Sequence, residues 1–125
     1  MKKKLIIVVD DDLVSLKVAY NILEEKYAVV TVPSAKKLFS ILENCRPDLI
    51  LLDVEMPEMN GYEAIEILKE KPETRDIPVI FLTGKINHGY EQRGYSMGAV
   101  DFITKPTLPP LLLERLETHL PTEKN

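Results

Sequence analysis

Asp10, Asp11, Asp53, Thr83 and Lys105 are the residues of this 125-residue chain whose types could act together on an anion. Each comes at or shortly after the end of a short apolar run: Asp10 and Asp11 after Leu5 to Val9, Asp53 after Leu49 to Leu52, Thr83 after Val79 to Leu82, and Lys105 after Val100 to Ile103. Three carboxylates brought to one edge repel one another, so either one takes up a proton or a cation sits among them; a hard divalent ion is the economical answer. Oxygen-only ligands favour Mg²⁺, with Mn²⁺ as the alternative, because no His or Cys is placed to bind Zn²⁺. A carboxylate-held metal takes phosphate oxygens as its remaining ligands, and the Thr83 hydroxyl and the Lys105 ammonium suit the same anion. Asp53, the central carboxylate, is then the best candidate for a nucleophile that forms an aspartyl phosphate, with alignment and charge neutralisation supplying most of the catalysis. Taken singly these residues are ordinary: an acid after a strand is more often a turn former or helix cap, and Thr83-Gly84 reads as a strand-ending turn.

The elements that must bring them together follow from the hydrophobic pattern. Leu5–Val9, Ala28–Val32, Leu49–Leu52, Val79–Leu82 and Val100–Ile103 are apolar runs of strand length. Between them lie helical periodicities: Leu13, Leu16, Ala19, Ile22 and Leu23 behind an Asp12 cap; Ala35, Leu38, Phe39 and Leu42 behind Pro33-Ser34; and Ala64, Ile65 and Leu68 within Tyr62 to Lys69. A fourth helix is expected from about His88 to Met97, the least rigid of the set because Gly89 and Gly94 each cost it roughly 1 kcal/mol relative to Ala. Leu112, Leu113, Leu116 and Leu120 stripe a last helix that starts at Pro109-Pro110. Five βα units with strands apolar on both faces require an α/β fold, a parallel sheet covered by helices on both sides. In such sheets polar groups converge outside the carboxyl ends of the strands, where these five residues stand.

Composition narrows the classes. One core suffices for a single domain of this length at 45% hydrophobic content, and a net charge of -4 opposes direct nucleic-acid binding. Lys2-Lys3-Lys4 is the only basic cluster, and the five apolar residues behind it are too few for a signal peptide or membrane span, which predicts a cytoplasmic protein. Cys45, the single cysteine, reads as an inert, partly packed thiol. His88 and His119 have no partners at metal spacing and read as surface residues, whereas Tyr90 and Tyr95 suit partner contacts or ordinary packing equally.

Val9-Asp10-Asp11-Asp12, Leu51 through Gly61, Leu82-Thr83-Gly84 and Gly98 through Pro106 together resemble the receiver domain of two-component response regulators. The likeness runs from Leu5 to about Leu120, and the intervals from Asp53 to Thr83 and to Lys105 agree with the family's. It implies a flavodoxin-like doubly wound (βα)5 three-layer sandwich with strand order 2-1-3-4-5; that order is known for a chemotaxis member of the family, and the residue pattern alone does not dictate it. It also implies that Asp53 accepts phosphate from a histidine kinase or phosphotransfer protein, and that Asp10, Asp11 and Asp53 with the Glu55 backbone carbonyl hold Mg²⁺. Thr83 and Lys105 would each meet a phosphoryl oxygen. Phe102 would be the aromatic switch that turns inward when Thr83 moves, and Lys105-Pro106 would be a cis peptide. Output would pass through the surface near the fourth helix, fifth strand and fifth helix to an effector domain, an effector protein or a second copy of the chain. Such a domain catalyses its own phosphorylation and dephosphorylation and is not an enzyme in the usual sense.

The chain departs from the family pattern at Gly84, where a small residue with a side chain is common, and in carrying Phe102 instead of Tyr. Glu55 and Lys85 stand where the family tunes the lifetime of the phosphate. Two other classes compete: an Mg-dependent aspartyl-phosphate phosphohydrolase, which would usually carry a second Asp where this chain has Glu55, and a degenerate receiver serving only as a scaffold. A flavin-binding relative of the same winding would need a phosphate loop that this sequence lacks. The receiver is expected to occupy residues 1–120, with 121–125 as a polar tail or the start of a linker, and the last helix resembles receivers joined to cyclic-dinucleotide or kinase modules.

Overall fold

A computed structural model describes residues 3–84 and 89–121. The elements alternate as β1 (Leu5–Val9), α1 (Leu13–Leu23), β2 (Ala28–Val32), α2 (Ala35–Leu42), β3 (Leu49–Leu52), α3 (Gly61–Glu70), β4 (Val79–Thr83), α4 (Tyr90–Ser96), β5 (Asp101–Thr104) and α5 (Pro109–His119). The strands form one parallel sheet in the order β2-β1-β3-β4-β5, so the winding reverses between β1 and β3. Successive strand side chains point to opposite faces. Ile7, Val9, Ile50, Leu52, Val79 and Phe81 meet α2 and α3 on one side, whereas Ile6, Val8, Leu49, Leu51, Ile80 and Leu82 meet α1 and α5 on the other. This double coverage explains why the strand runs are apolar without alternation. Among the described residues no helix is long and apolar enough to cross a membrane.

Local sequence sets most helix starts. Asp12 accepts from the Val14 N–H at 3.0 Å and Ser34 from the Lys37 N–H at 3.1 Å. At α3 a capping box operates: the Asn60 side chain accepts from Glu63 N–H, and the Glu63 carboxylate accepts from Asn60 N–H. That box starts the helix at Gly61, one residue earlier than its apolar periodicity indicates.

Three expectations shift. Strand β5 starts at Asp101, leaving Val100 exposed, although the Val100 N–H still donates to the Val79 carbonyl. Helix α4 starts at Tyr90 behind a left-handed Gly89, and His88 and Lys85 lie outside the described residues. His119 is half-buried, not a bare surface residue, because its Nε2 lies 3.0 Å from the Asp101 carboxylate. Asp101 is itself buried, and it also accepts from Arg115 at 2.6 Å, the Tyr95 hydroxyl at 3.2 Å and the Phe102 N–H at 2.8 Å. Burial pushes this carboxyl up, but the Phe102 N–H, His119 and Arg115 more than offset it and hold it below the ordinary carboxylate range. Cys45 is half-buried and unpaired with another cysteine.

Two glycines are set by close approach. A Cβ at Gly61 would lie 2.2 Å from the Asp53 carbonyl oxygen, and one at Gly94 would lie 3.0 Å from Phe81 and 3.1 Å from Phe102. Gly94 thus lets α4 sit directly on the aromatic pair, which outweighs its poor helix propensity. Because the clash at Gly61 is with backbone, Gly61→Ala is expected to destabilise the chain by about 1–3 kcal/mol in urea unfolding. An unchanged midpoint would show that the start of α3 can move off Asp53.

Candidate functional site

The carboxyl ends of β1 and β3 are tied together by the backbone. Asp53 N–H donates to the Val9 carbonyl at 3.0 Å, Asp10 N–H to Val32 at 3.1 Å, and Gly61 N–H to Val54 at 2.7 Å. On the other flank, Lys105 N–H donates to the Thr83 carbonyl at 2.8 Å, and the following Lys105–Pro106 peptide is cis. These bonds place side chains from four strand ends around one depression.

Asp10, Asp11 and Asp53 each bring a carboxylate oxygen within 4.8 Å of the others. Asp10 and Asp53 are only 4% and 7% exposed, whereas Asp11 faces solvent. One Asp10 oxygen accepts from the Asp12 N–H at 2.9 Å, and the other accepts from Lys105 Nζ at 2.6 Å. Lys105 also donates to Ser15 Oγ at 3.0 Å. The Asp53 carboxylate accepts from the Val54 N–H at 2.8 Å and from the Thr83 side chain. Thr83 is fully buried. Burial pushes the Asp53 carboxyl up to about 6, opposed by Thr83 and Lys105 and reinforced by Asp10.

Among the described residues, three carboxylates against one ammonium leave uncompensated negative charge in a partly dehydrated place, and the donor set is all oxygen. This fits a hard divalent cation that keeps some of its water. Glu55 stands apart from the trio: its carboxylate accepts from the Tyr90 hydroxyl at 2.7 Å, on the α4 side. Phe102 is buried in the core against Phe81, with ring centroids 5.9 Å apart. Among the described residues, a Cβ added to Gly84 would meet only the Lys105 side chain, at 3.8 Å, an ordinary van der Waals contact.

A groove of about 580 Å³ leads from the carboxylates between α1 and the loop before α5, past Ser15, Val18, Pro106 and Thr107. Its lining includes the exposed apolar side chains of Val14 and Val18, 71% and 52% exposed. Thr107 Oγ1 is, among the described residues, the buried side-chain polar atom without a partner. Ser15, Thr107 and Tyr90 escaped the sequence reading of the site. The only hint for Ser15 is its place one turn beyond the Asp12 cap.

The raised Asp53 carboxyl has a thermodynamic sign. Between about pH 4 and 6 the folded chain holds a proton that the unfolded chain has released, so this group's stabilising contribution is complete below about pH 4 and is lost as pH rises through about 6. Asp53→Asn is therefore expected to melt above wild type at pH 7.5 without divalent cation, with the gap closing towards pH 4. Adding Mg²⁺ at pH 7.5 should raise wild type more than the variant. Equal melting of both proteins across that range would contradict this reading of the site.

Residues 6–117 match the response regulator receiver domain family. Over 120 residues the chain is 43% identical to a probable cyclic di-GMP phosphodiesterase of Vibrio cholerae, an alignment that spans 96% of this chain but 27% of that protein. The signal receiver domain of a signal transduction histidine kinase from Syntrophus aciditrophicus superposes with a TM-score of 0.86 at 36% identity, covering 98% of this chain and 96% of that one. The receiver domain of a sensor histidine kinase from Pseudomonas aeruginosa, with a magnesium ion coordinated in its active-site cleft, gives 0.85 at 26% identity over 94% of this chain and 97% of its own. Strand order, acidic pocket and a match over nearly the whole length agree: the chain belongs to the response regulator receiver domain family.

Proposed function

We propose that this domain is a phosphorylatable switch in which an Asp53 carboxylate oxygen attacks the phosphorus of a phosphohistidine on a histidine kinase or phosphotransfer protein. The bond to the imidazole nitrogen breaks, and the freed nitrogen takes up a proton from water. The observation that carries this reading is the pair of buried carboxylates Asp10 and Asp53, with Lys105 on Asp10 as the one neighbouring ammonium among the described residues, a charge pattern that calls for a cation and then a phosphoryl group. Asp10, Asp11, Asp53 and the Glu55 carbonyl would hold Mg²⁺, with Mn²⁺ as a substitute. When bound, the ion neutralises charge on the phosphoryl oxygens.

The protein's own groups supply the rest. Lys105 exchanges Asp10 for a phosphoryl oxygen, and the Thr83 hydroxyl turns from the Asp53 carboxylate to another. Withdrawal of Thr83 would let Phe102, already buried against Phe81, repack there. That movement would alter the face made by α4, β5 and α5, where an effector domain, an effector protein or a second copy would bind. Residues 1–120 form the receiver unit in this reading, 121–125 a tail or linker, and the domain acts in the cytoplasm. The phosphohydrolase alternative needs an acid two residues after the nucleophile that acts on the leaving group, and the Glu55 carboxylate is instead engaged by Tyr90.

The apolar wall of the groove supports a docking role for the phosphodonor protein, because the exposed Val14 and Val18 line the path to Asp53 and Thr107 has an unused hydroxyl there. Incubation with Mg²⁺ and acetyl phosphate is expected to add one base-labile phosphate, detected by mass, that is absent in Asp53→Asn. No adduct, an adduct that survives that substitution, or rapid turnover of small phosphate esters would sink the proposal. Val14→Ser should slow transfer from a phosphorylated donor protein by about tenfold while leaving acetyl phosphate labelling unchanged, as the loss of one buried apolar contact at an interface predicts. Equal slowing with both donors would place Val14 in the structure of the site instead.

A further inference from the structure

The Tyr90 hydroxyl is anchored far better than the carboxylate it holds. Its ring lies edge-on to Tyr62, with centroids 5.8 Å apart, and its backbone carbonyl accepts from the Tyr62 hydroxyl at 2.8 Å. Tyr62 is buried, packs edge-on to Phe81 at 5.4 Å, and is covered by the Arg93 guanidinium 4.2 Å from its ring centroid. Glu55 is exposed. Of the two partners in the 2.7 Å bond, tyrosine is therefore the fixed post and glutamate the tethered arm. Asp11, Glu55, Asn60, Tyr62, Tyr90 and Arg93 all border one depression beside the acidic trio.

We infer that Tyr90 is a positioning residue that keeps the Glu55 carboxylate away from the cation and phosphoryl position, so that Glu55 offers the site its backbone carbonyl alone. The inference rests on the receiver reading and adds a residue to it. A fourth carboxylate drawn onto the metal or its bound water would bind the cation more tightly and repel an incoming phosphoryl group, since unlike charges attract and like charges oppose across the same few ångströms. The hydroxyl tether prevents this collapse at the cost of one surface hydrogen bond.

The test compares wild type, Tyr90→Phe, Glu55→Gln and the double variant as full chains. Mg²⁺ affinity is read by calorimetry, and beryllofluoride uptake at saturating Mg²⁺ is read separately. Tyr90→Phe is expected to tighten Mg²⁺ by about 3–10-fold and to weaken beryllofluoride uptake by a similar factor, the range of one hydrogen bond lost. In the Glu55→Gln background the same change should alter neither quantity, a dependence that a merely structural role for Tyr90 would not produce. Unchanged Mg²⁺ affinity in Tyr90→Phe, or equal shifts in both backgrounds, would overturn the assignment. If wild type binds Mg²⁺ but takes up neither beryllofluoride nor phosphate, the phosphoacceptor reading fails while the Mg²⁺ comparison still decides the role of Tyr90. No measurable Mg²⁺ binding by wild type overturns both.

Discussion

Burying Asp10 and Asp53 in contact at the mouth of a parallel sheet is the constraint on which the other features depend. Either carboxylate in that position would be costly as an isolated charge, and together they repel. Lys105 relieves one of them and Thr83 partly relieves the other, which leaves Asp53 pushed up to about 6. The surrounding backbone cannot yield to separate them, because Asp53 is held by Val9 on one side and its carbonyl is pressed by Gly61 on the other. A cation is the response that such a rigid arrangement leaves open.

The contrast with Asp101 shows how environment divides one residue type into two roles. Asp101 is as buried as Asp53, yet a guanidinium, an imidazole, a phenol and a backbone N–H converge on it. Its charge is satisfied within the fold, and it links α4 and α5 across the edge strand. Among the described residues Asp53 has fewer donors and two acidic neighbours, so they leave its charge incompletely balanced. Buried charge that is completed internally holds the structure, whereas buried charge left incomplete invites chemistry.

From α4 to the residue beside Asp101 runs a continuous set of aromatic contacts. Tyr90 touches Tyr62, Tyr62 touches Phe81, and Phe81 touches Phe102, the residue next to Asp101. Gly94 has no side chain to hold α4 off this row. A packed row of rings has few intermediate arrangements, so a displacement at Phe102 would be felt along α4. Glu55 joins the same row at its far end through the Tyr90 hydroxyl.

Much of this was legible in the sequence. Unbroken aliphatic runs alternating with helical periodicities required a covered parallel sheet, and such a sheet carries Asp10, Asp11, Asp53, Thr83 and Lys105 to one edge because each ends or follows a strand. The metal chemistry followed from residue type alone, since oxygen donors without His or Cys select a hard cation. Strand order came only with the family resemblance, as periodicity does not say which strands are neighbours. Tertiary structure alone decided the pairings: Lys105 on Asp10 and Ser15, His119 and Arg115 on Asp101, Tyr90 on Glu55, and glycine at 61 because the Asp53 carbonyl occupies the space of a Cβ. These contacts join residues far apart in the chain through side chains a few ångströms long. Local pattern determines which element a residue belongs to, but which atom it meets depends on how the elements are set against one another.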